Sequence, residues 1–174
     1  MIFSPYGSFV IPKQEKGLIS TDRDELKKFW KNVEEEAEGL SSAIGIYIFS
    51  IRAGKGMRPW YVGKTENAGF FKECFQPHKI NHYNYCIAKR KGTPLLTFIP
   101  KLTQADNLAQ PNGRPQKDIS SLEKMLIGAC LQKNKDLVNA RDTKIFRDMV
   151  VHGYLNNPQG GVKNSVKEFK KLIG

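Results

Sequence analysis

Two short runs, Gly45-Ile46-Tyr47 and Tyr61-Val62-Gly63, set two phenols beside glycines with thirteen residues between the tyrosines. A phenol can orient water, bind a phosphate oxygen or act as a base. The last role needs nearby cations, because a free phenol ionises only near pH ~10. Lys64 follows the second run directly, and Lys72 lies a little further on. Their plain alternatives are core-packing aromatics and solvated lysines. A second group, Cys74, His78, His82 and Cys86, is spaced by four. That spacing invites a zinc reading. One straight helix would spread the two cysteines roughly 18 Å apart, so a fold-back at Pro77 would be needed to gather all four on one ion. Taken singly, His78 or His82 suits a proton donor or a water positioner. His78 is preferred, being nearer Lys72 in sequence, against a surface or capping role.

Charge gives a broader indication. The chain of 174 residues carries 28 Lys and Arg against 17 Asp and Glu, a formal charge of +11. Such an excess attracts polyanions, whether nucleic acid, an anionic membrane surface or an acidic protein. The basic residues cluster at Lys89-Arg90-Lys91, at Arg141, Lys144 and Arg147, and at Lys163, Lys167, Lys170 and Lys171. Together they fit salt-sensitive contacts with a phosphate backbone; separately each fits a solvated face. No window reaches the roughly 18 apolar residues of a membrane span, and the first residues lack a secretory pattern. Three cysteines make no disulfide framework and suit a reducing compartment, so a cytoplasmic protein without membrane contact is expected.

The elements that must position these residues are set by spacing. Residues 1–20, with Pro5, Gly7, Pro12 and Gly17, read as an irregular arm. Residues 21–38 read as an amphipathic helix capped by Thr21 and ended by Gly39. Residues 43–51 and 57–63 alternate as two strands of a hairpin across a turn at 53–56. Pro59 is expected to face its amide side away from the first strand. An odd loop places Tyr47 directly opposite Tyr61, whereas an even loop sends them to opposite faces. Residues 68–91 read as helix split at Pro77, 94–102 as a third strand, and 103–117 as a polar loop. A helix over 120–133 is expected to bury Leu122, Met125, Leu126, Ala129 and Cys130. A short basic helix is expected at 165–173.

The tripeptide pair, with the order of elements C-terminal to it, resembles the signature of the GIY-YIG nuclease family over about residues 43–140. Past the second tripeptide, that family has a helix with a basic residue, a strand, a helix bearing a glutamate, and an asparagine beyond its end. Here those positions are matched by Lys72, the third strand, Glu123 and Asn139. The family's helix usually carries an arginine where this chain has Phe71, with Lys72 adjacent; arginine grips phosphate with a planar fork, lysine as a point charge. The resemblance implies an α+β fold with a three-stranded antiparallel sheet flanked by helices. An N-terminal arm and helix (1–42) would precede the catalytic domain (43–140), and a basic extension (141–174) would come after it.

It also implies roles. Tyr47 would deprotonate water, Tyr61 would orient it, and Lys72 with His78 would attend the phosphate. Glu123 would hold one hard divalent ion, Mg²⁺ or Mn²⁺, and Asn139 would tie its helix to the hairpin. Lys64, Lys89, Arg90, Lys91 and Arg141 would contact the nucleic-acid backbone. The expected function is a metal-dependent endonuclease acting on nucleic acid, with double-stranded DNA favoured. The alternatives are a nucleic-acid-binding module of the same fold with weakened chemistry, and a basic protein–protein adaptor.

Overall fold

The computed structural model describes residues 1–88, 90–139, 143–152, 154 and 163–173. The chain is a mixed α+β fold around one antiparallel sheet. Strand β1 (Ile2–Phe3), strand β2 (Tyr6–Val10), helix α1 (Arg23–Glu36) and a single 3-10 turn (Leu40–Ser42) come first. The hairpin β3 (Gly45–Ala53) and β4 (Gly56–Thr65) leads into helices α2 (Gly69–Glu73) and α3 (Pro77–Ile87). Strand β5 (Thr93–Leu102) precedes helices α4 (Lys117–Lys133), α5 (Thr143–Asp148) and α6 (Asn164–Ile173).

The sheet has five strands rather than the expected three. The segment read as an irregular arm supplies β1 and β2, and both pair antiparallel with the outer edge of β5. Pro5 and Gly7 interrupt that edge without preventing it, because the remaining residues find their partners across the sheet. The long helix begins one residue later than expected. Asp22, not Thr21, caps it, its Oδ1 accepting from the amides of Asp24 and Glu25 at 3.0 Å each.

Alternate residues of β3 serve two cores. Tyr47, Phe49 and Ile51 face Phe29, Trp30 and Val33 of α1 together with Phe70 and Tyr83. Ile46, with Ile44 just before the strand, faces Ile119, Ile127 and Leu131 of α4. Helix α4 is rotated part-way from its expected phase: Cys130 is buried and Leu122 and Leu126 pack against the core as expected, whereas Met125 and Ala129 are exposed. Met125 is 70% exposed, and the buried face runs through Ile119, Ile127, Gly128, Cys130 and Leu131. Glu123 therefore lies on the sheet-facing side, one turn from both Ile119 and Ile127.

Hairpin register combines two features. The turn is the two-residue loop Gly54-Lys55, an even length that alone would set the tyrosines on opposite faces. A one-residue bulge at Trp60 cancels that shift, so Phe49 pairs with Tyr61, and Tyr47 pairs with Gly63. The two tyrosines share a face as diagonal neighbours, their ring centroids 6.1 Å apart. The exposed edge of β4 is covered by the chain leaving α4. Asn134 Nδ2 donates to the Pro59 carbonyl at 2.8 Å, Val138 N to the Trp60 carbonyl at 2.9 Å, and Asn139 bonds both backbone groups of Val62. Because a strand residue's N–H and C=O point the same way, Pro59 turns its missing donor outward and β3 loses no bond.

Candidate active site

Strand β4 presents polar residues to both faces. On the α3 side, Tyr61 accepts a hydrogen bond from Lys79 Nζ at 2.7 Å, and the same ammonium lies 3.1 Å from Glu73 Oε1. An ammonium can only donate, so the phenol's own proton points elsewhere. Lys79 is 8% exposed. Burial works against its charge, but the bond to Tyr61 and the charge of Glu73 outweigh it, and its pKa is raised. The His82 ring stacks on Tyr61 with centroids 5.5 Å apart and 15° between planes. Burial, then the positive charge of Lys79, lowers the His82 pKa, which keeps the imidazole neutral at pH 7.

On the α4 side, Lys64 Nζ donates to Ser120 Oγ at 2.5 Å and lies 2.9 Å from Glu66 Oε1 and 3.6 Å from Glu123 Oε2. The Ser120 hydroxyl donates to Glu66 Oε1 at 2.8 Å, and the Gln116 amide to Glu66 Oε2 at 3.3 Å. Burial opposes both charges, but these bonds prevail. Glu66 is held below the usual carboxylate range and Lys64 above the usual lysine value. A groove of about 260 Å³, lined by Lys64, Thr65, Glu66, Asn67, Ala68 and Glu73, lies where β4 runs into α2. Glu73 of the first cluster and Lys64 and Glu66 of the second line it, while Tyr61, Lys79 and Glu123 do not.

The other expected site residues fall elsewhere. Tyr47 forms no open ledge with Tyr61. It is fully buried, and burial, then the neighbouring Tyr83, drives its pKa well above the ordinary phenol value. Such a phenol keeps its proton at neutral pH, so the expected base role fails in this arrangement. Its ring lies against the α-carbon of Gly63, where any β-carbon would collide with the Tyr47 Cζ and hydroxyl. That close approach is why the second tripeptide ends in glycine. Lys72 and His78 are exposed, on the outer side of their helices, and the cation and imidazole that reach Tyr61 are Lys79 and His82.

Asn139 is 8% exposed, its Oδ1 accepting from the Val62 amide at 2.9 Å and its Nδ2 donating to the Val62 carbonyl at 2.6 Å. Arg90 lies flat on the Trp60 ring, 3.6 Å from its centroid, and Lys91 is exposed beside it. Lys89 and Arg141 lie outside the described residues. Lys64 is not free to meet a backbone phosphate, being held by two carboxylates. The zinc reading fails as well. Cys74 and Cys86 are buried in the core, and burial pushes the Cys86 thiol up to about 11.

Lys79, Glu73, Glu66 and Ser120 were not anticipated as site residues. Lys79 left a signal: it shares a helical face with buried Tyr83, Cys86 and Ile87 of α3, and a lysine on an apolar face needs a partner. Glu66 left only its nearness to Lys64.

Among the described residues, no three His, Cys, Asp or Glu side chains gather in a metal-holding group. Glu123 and Glu66 both approach one ammonium nitrogen, so hard oxygen donors do stand together there. With Lys64 already paired to both, the set fits a weakly held Mg²⁺ only where that ammonium moves aside, and it would not suit zinc. Comparison with family models, with curated proteins and with solved structures found no match to this chain. Among the described residues no helix is long and apolar enough to cross a membrane.

Proposed function

We propose that the chain is a metal-dependent endonuclease that hydrolyses phosphodiester bonds in nucleic acid, with DNA favoured. The likeness to GIY-YIG nucleases in the tripeptide pair supports this reading, as does the +11 charge. The observation that carries it is the groove at the end of β4, where Glu73, the carboxylate partner of Lys79, shares a lining with Lys64 and Glu66. Glu123, with Glu66 beside it, would hold the ion, which supplies positive charge to the phosphoryl oxygens and eases departure of the leaving oxygen. Tyr61 turns its proton to the attacking water or to a phosphate oxygen, while Lys79 donates to its oxygen and fixes its direction. Neutral His82, stacked on Tyr61, would take the water's proton. Asn139 and Gly63 hold β4 in place behind them.

The test is nicking of supercoiled plasmid with Mg²⁺, with Mn²⁺ and with a chelator. Wild type and Tyr47→Phe are expected to nick, whereas Tyr61→Phe and Glu123→Gln are not. Absence of nicking by wild type with either ion sinks the reading. A second reading, a nucleic-acid-binding module without turnover, is favoured by the burial of Tyr47 and by Phe71 standing at the arginine position. It predicts binding with no nicking under every condition.

A further inference from the structure

The turn end of the hairpin differs in kind from the groove just described. Two adjoining grooves of about 550 and 350 Å³ lie there, and Arg90 and Lys91 line both. Arg58 and Lys133 line the larger one, and Lys13 and Lys16 the smaller. Among the described residues, no carboxylate lines either groove. Among the described residues, none of these six cations forms an ion pair. Arg90 is preset: its guanidinium rests on Trp60, and its Nη1 donates to the Cys86 carbonyl at 2.9 Å. A planar fork fixed in this way loses little side-chain freedom when it meets an anion.

We propose that this turn-end surface holds the nucleic-acid backbone, with phosphates seated along Arg90 and Lys91 between the two grooves. The inference rests on the reading that the substrate is a nucleic acid, and it adds where that substrate is gripped. Six uncompensated cations in connected concavities match a thread of phosphates better than they match a flat lipid surface. Along β4, Arg58 of the larger groove and Lys64 beside Glu123 are about 20 Å apart at the rise of an extended strand. A duplex laid along the hairpin would be cut roughly six base pairs from its anchored phosphates, at 3.4 Å per pair.

The experiment compares fluorescent DNA binding, in chelator and over a salt series, by wild type and by two triple variants. Arg58→Glu, Lys91→Glu and Lys133→Glu together reverse the turn end. Lys27→Glu, Lys28→Glu and Lys31→Glu change the net charge equally on α1. The turn-end variant is expected to bind about tenfold or more weakly near 100 mM salt and to lower the salt slope by about three. The α1 variant is expected to lose far less. The neutral set Arg58→Gln, Lys91→Gln and Lys133→Gln, gentler on folding, is expected to fall between wild type and the reversed variant. Equal losses in both reversed variants overturn the proposal, because net charge alone would then explain binding. Binding of anionic vesicles but not of DNA by wild type overturns it too. If wild type nicks plasmid while the turn-end variant binds normally, the surface assignment fails and the nuclease reading stands. If the turn-end variant alone loses binding while wild type never nicks, the surface assignment holds and the nuclease reading fails.

Discussion

The two ends of one hairpin carry cations in opposite circumstances. At the open end, Lys64 is shared by Glu66 and Glu123, and Lys79 by Tyr61 and Glu73. At the turn end, Arg58, Arg90, Lys91 and Lys133 have no carboxylate partner among the described residues. Paired charges project little field but sit at fixed distances, which suits chemistry at a defined atom. Unpaired charges project a long-range field and tolerate imprecise geometry, which suits capture of a polyanion. The protein's net charge therefore says little about its candidate catalytic groups, because those cations are already compensated.

The comparison breaks most visibly at Glu123. Glu123→Gln is expected to cut nicking by about a hundredfold or more while leaving DNA binding in chelator unchanged. Weaker binding in chelator would mean that the open end also captures substrate. Next in size is the support behind the open end. Asn139→Ala strands the amide and carbonyl of Val62, and a loss of about 2–4 kcal/mol is expected in denaturant unfolding. Gly63→Ala drives a methyl into the Tyr47 ring, for a loss of about 1–3 kcal/mol. By contrast, Tyr47→Phe removes a buried hydroxyl that has no hydrogen-bond partner among the described residues, and should leave stability unchanged or slightly higher.

A pH series separates the ends more gently. Glu66 is held below the ordinary value of 4.5, so its contribution is complete above that pH and lost as pH falls through its folded value. Lys64 and Lys79 are raised above 10.5, so theirs is complete below that pH and lost as pH rises through their folded values. Thermal stability is thus expected to fall below about pH 4.5 and above about pH 10.5. Removing the turn-end cations is expected to leave that profile in place. Smallest of all, Lys72→Ala and His78→Ala should shift stability by no more than about 0.5 kcal/mol and spare nicking, unlike Lys79→Ala and His82→Ala.

The sequence was readable where local rules decide. Gly54 beside alternating apolar residues marked the hairpin, and Pro77 marked the break between α2 and α3. It was not readable where distant partners decide. Strand β1 has only two residues, and nothing near it announces that Leu102 and Lys101 will pair with it. The bulge at Trp60 is one residue in a strand that reads evenly, yet it sets which face Tyr61 occupies. Helix α4 has a broad apolar face, so Met125 and Ala129 fitted the stripe as well as Ile119 and Ile127 did; packing against Ile44, Ile46 and Val62 chose Ile119 and Ile127 and kept Leu122 at the margin. That choice turned Glu123 toward Lys64. Lys79 was missed because a lysine is ordinarily solvated, and its partner Tyr61 lies 18 residues away in sequence.

The central claim is that chemistry sits at the open end and capture at the turn end. Steady-state nicking of plasmid by wild type, Glu123→Gln and the Arg58→Glu, Lys91→Glu, Lys133→Glu variant tests it most directly. The account predicts that Glu123→Gln lowers kcat with KM unchanged, while the turn-end variant raises KM with kcat unchanged. It is contradicted if both variants alter the same parameter, or if wild type shows no turnover with Mg²⁺ or Mn²⁺.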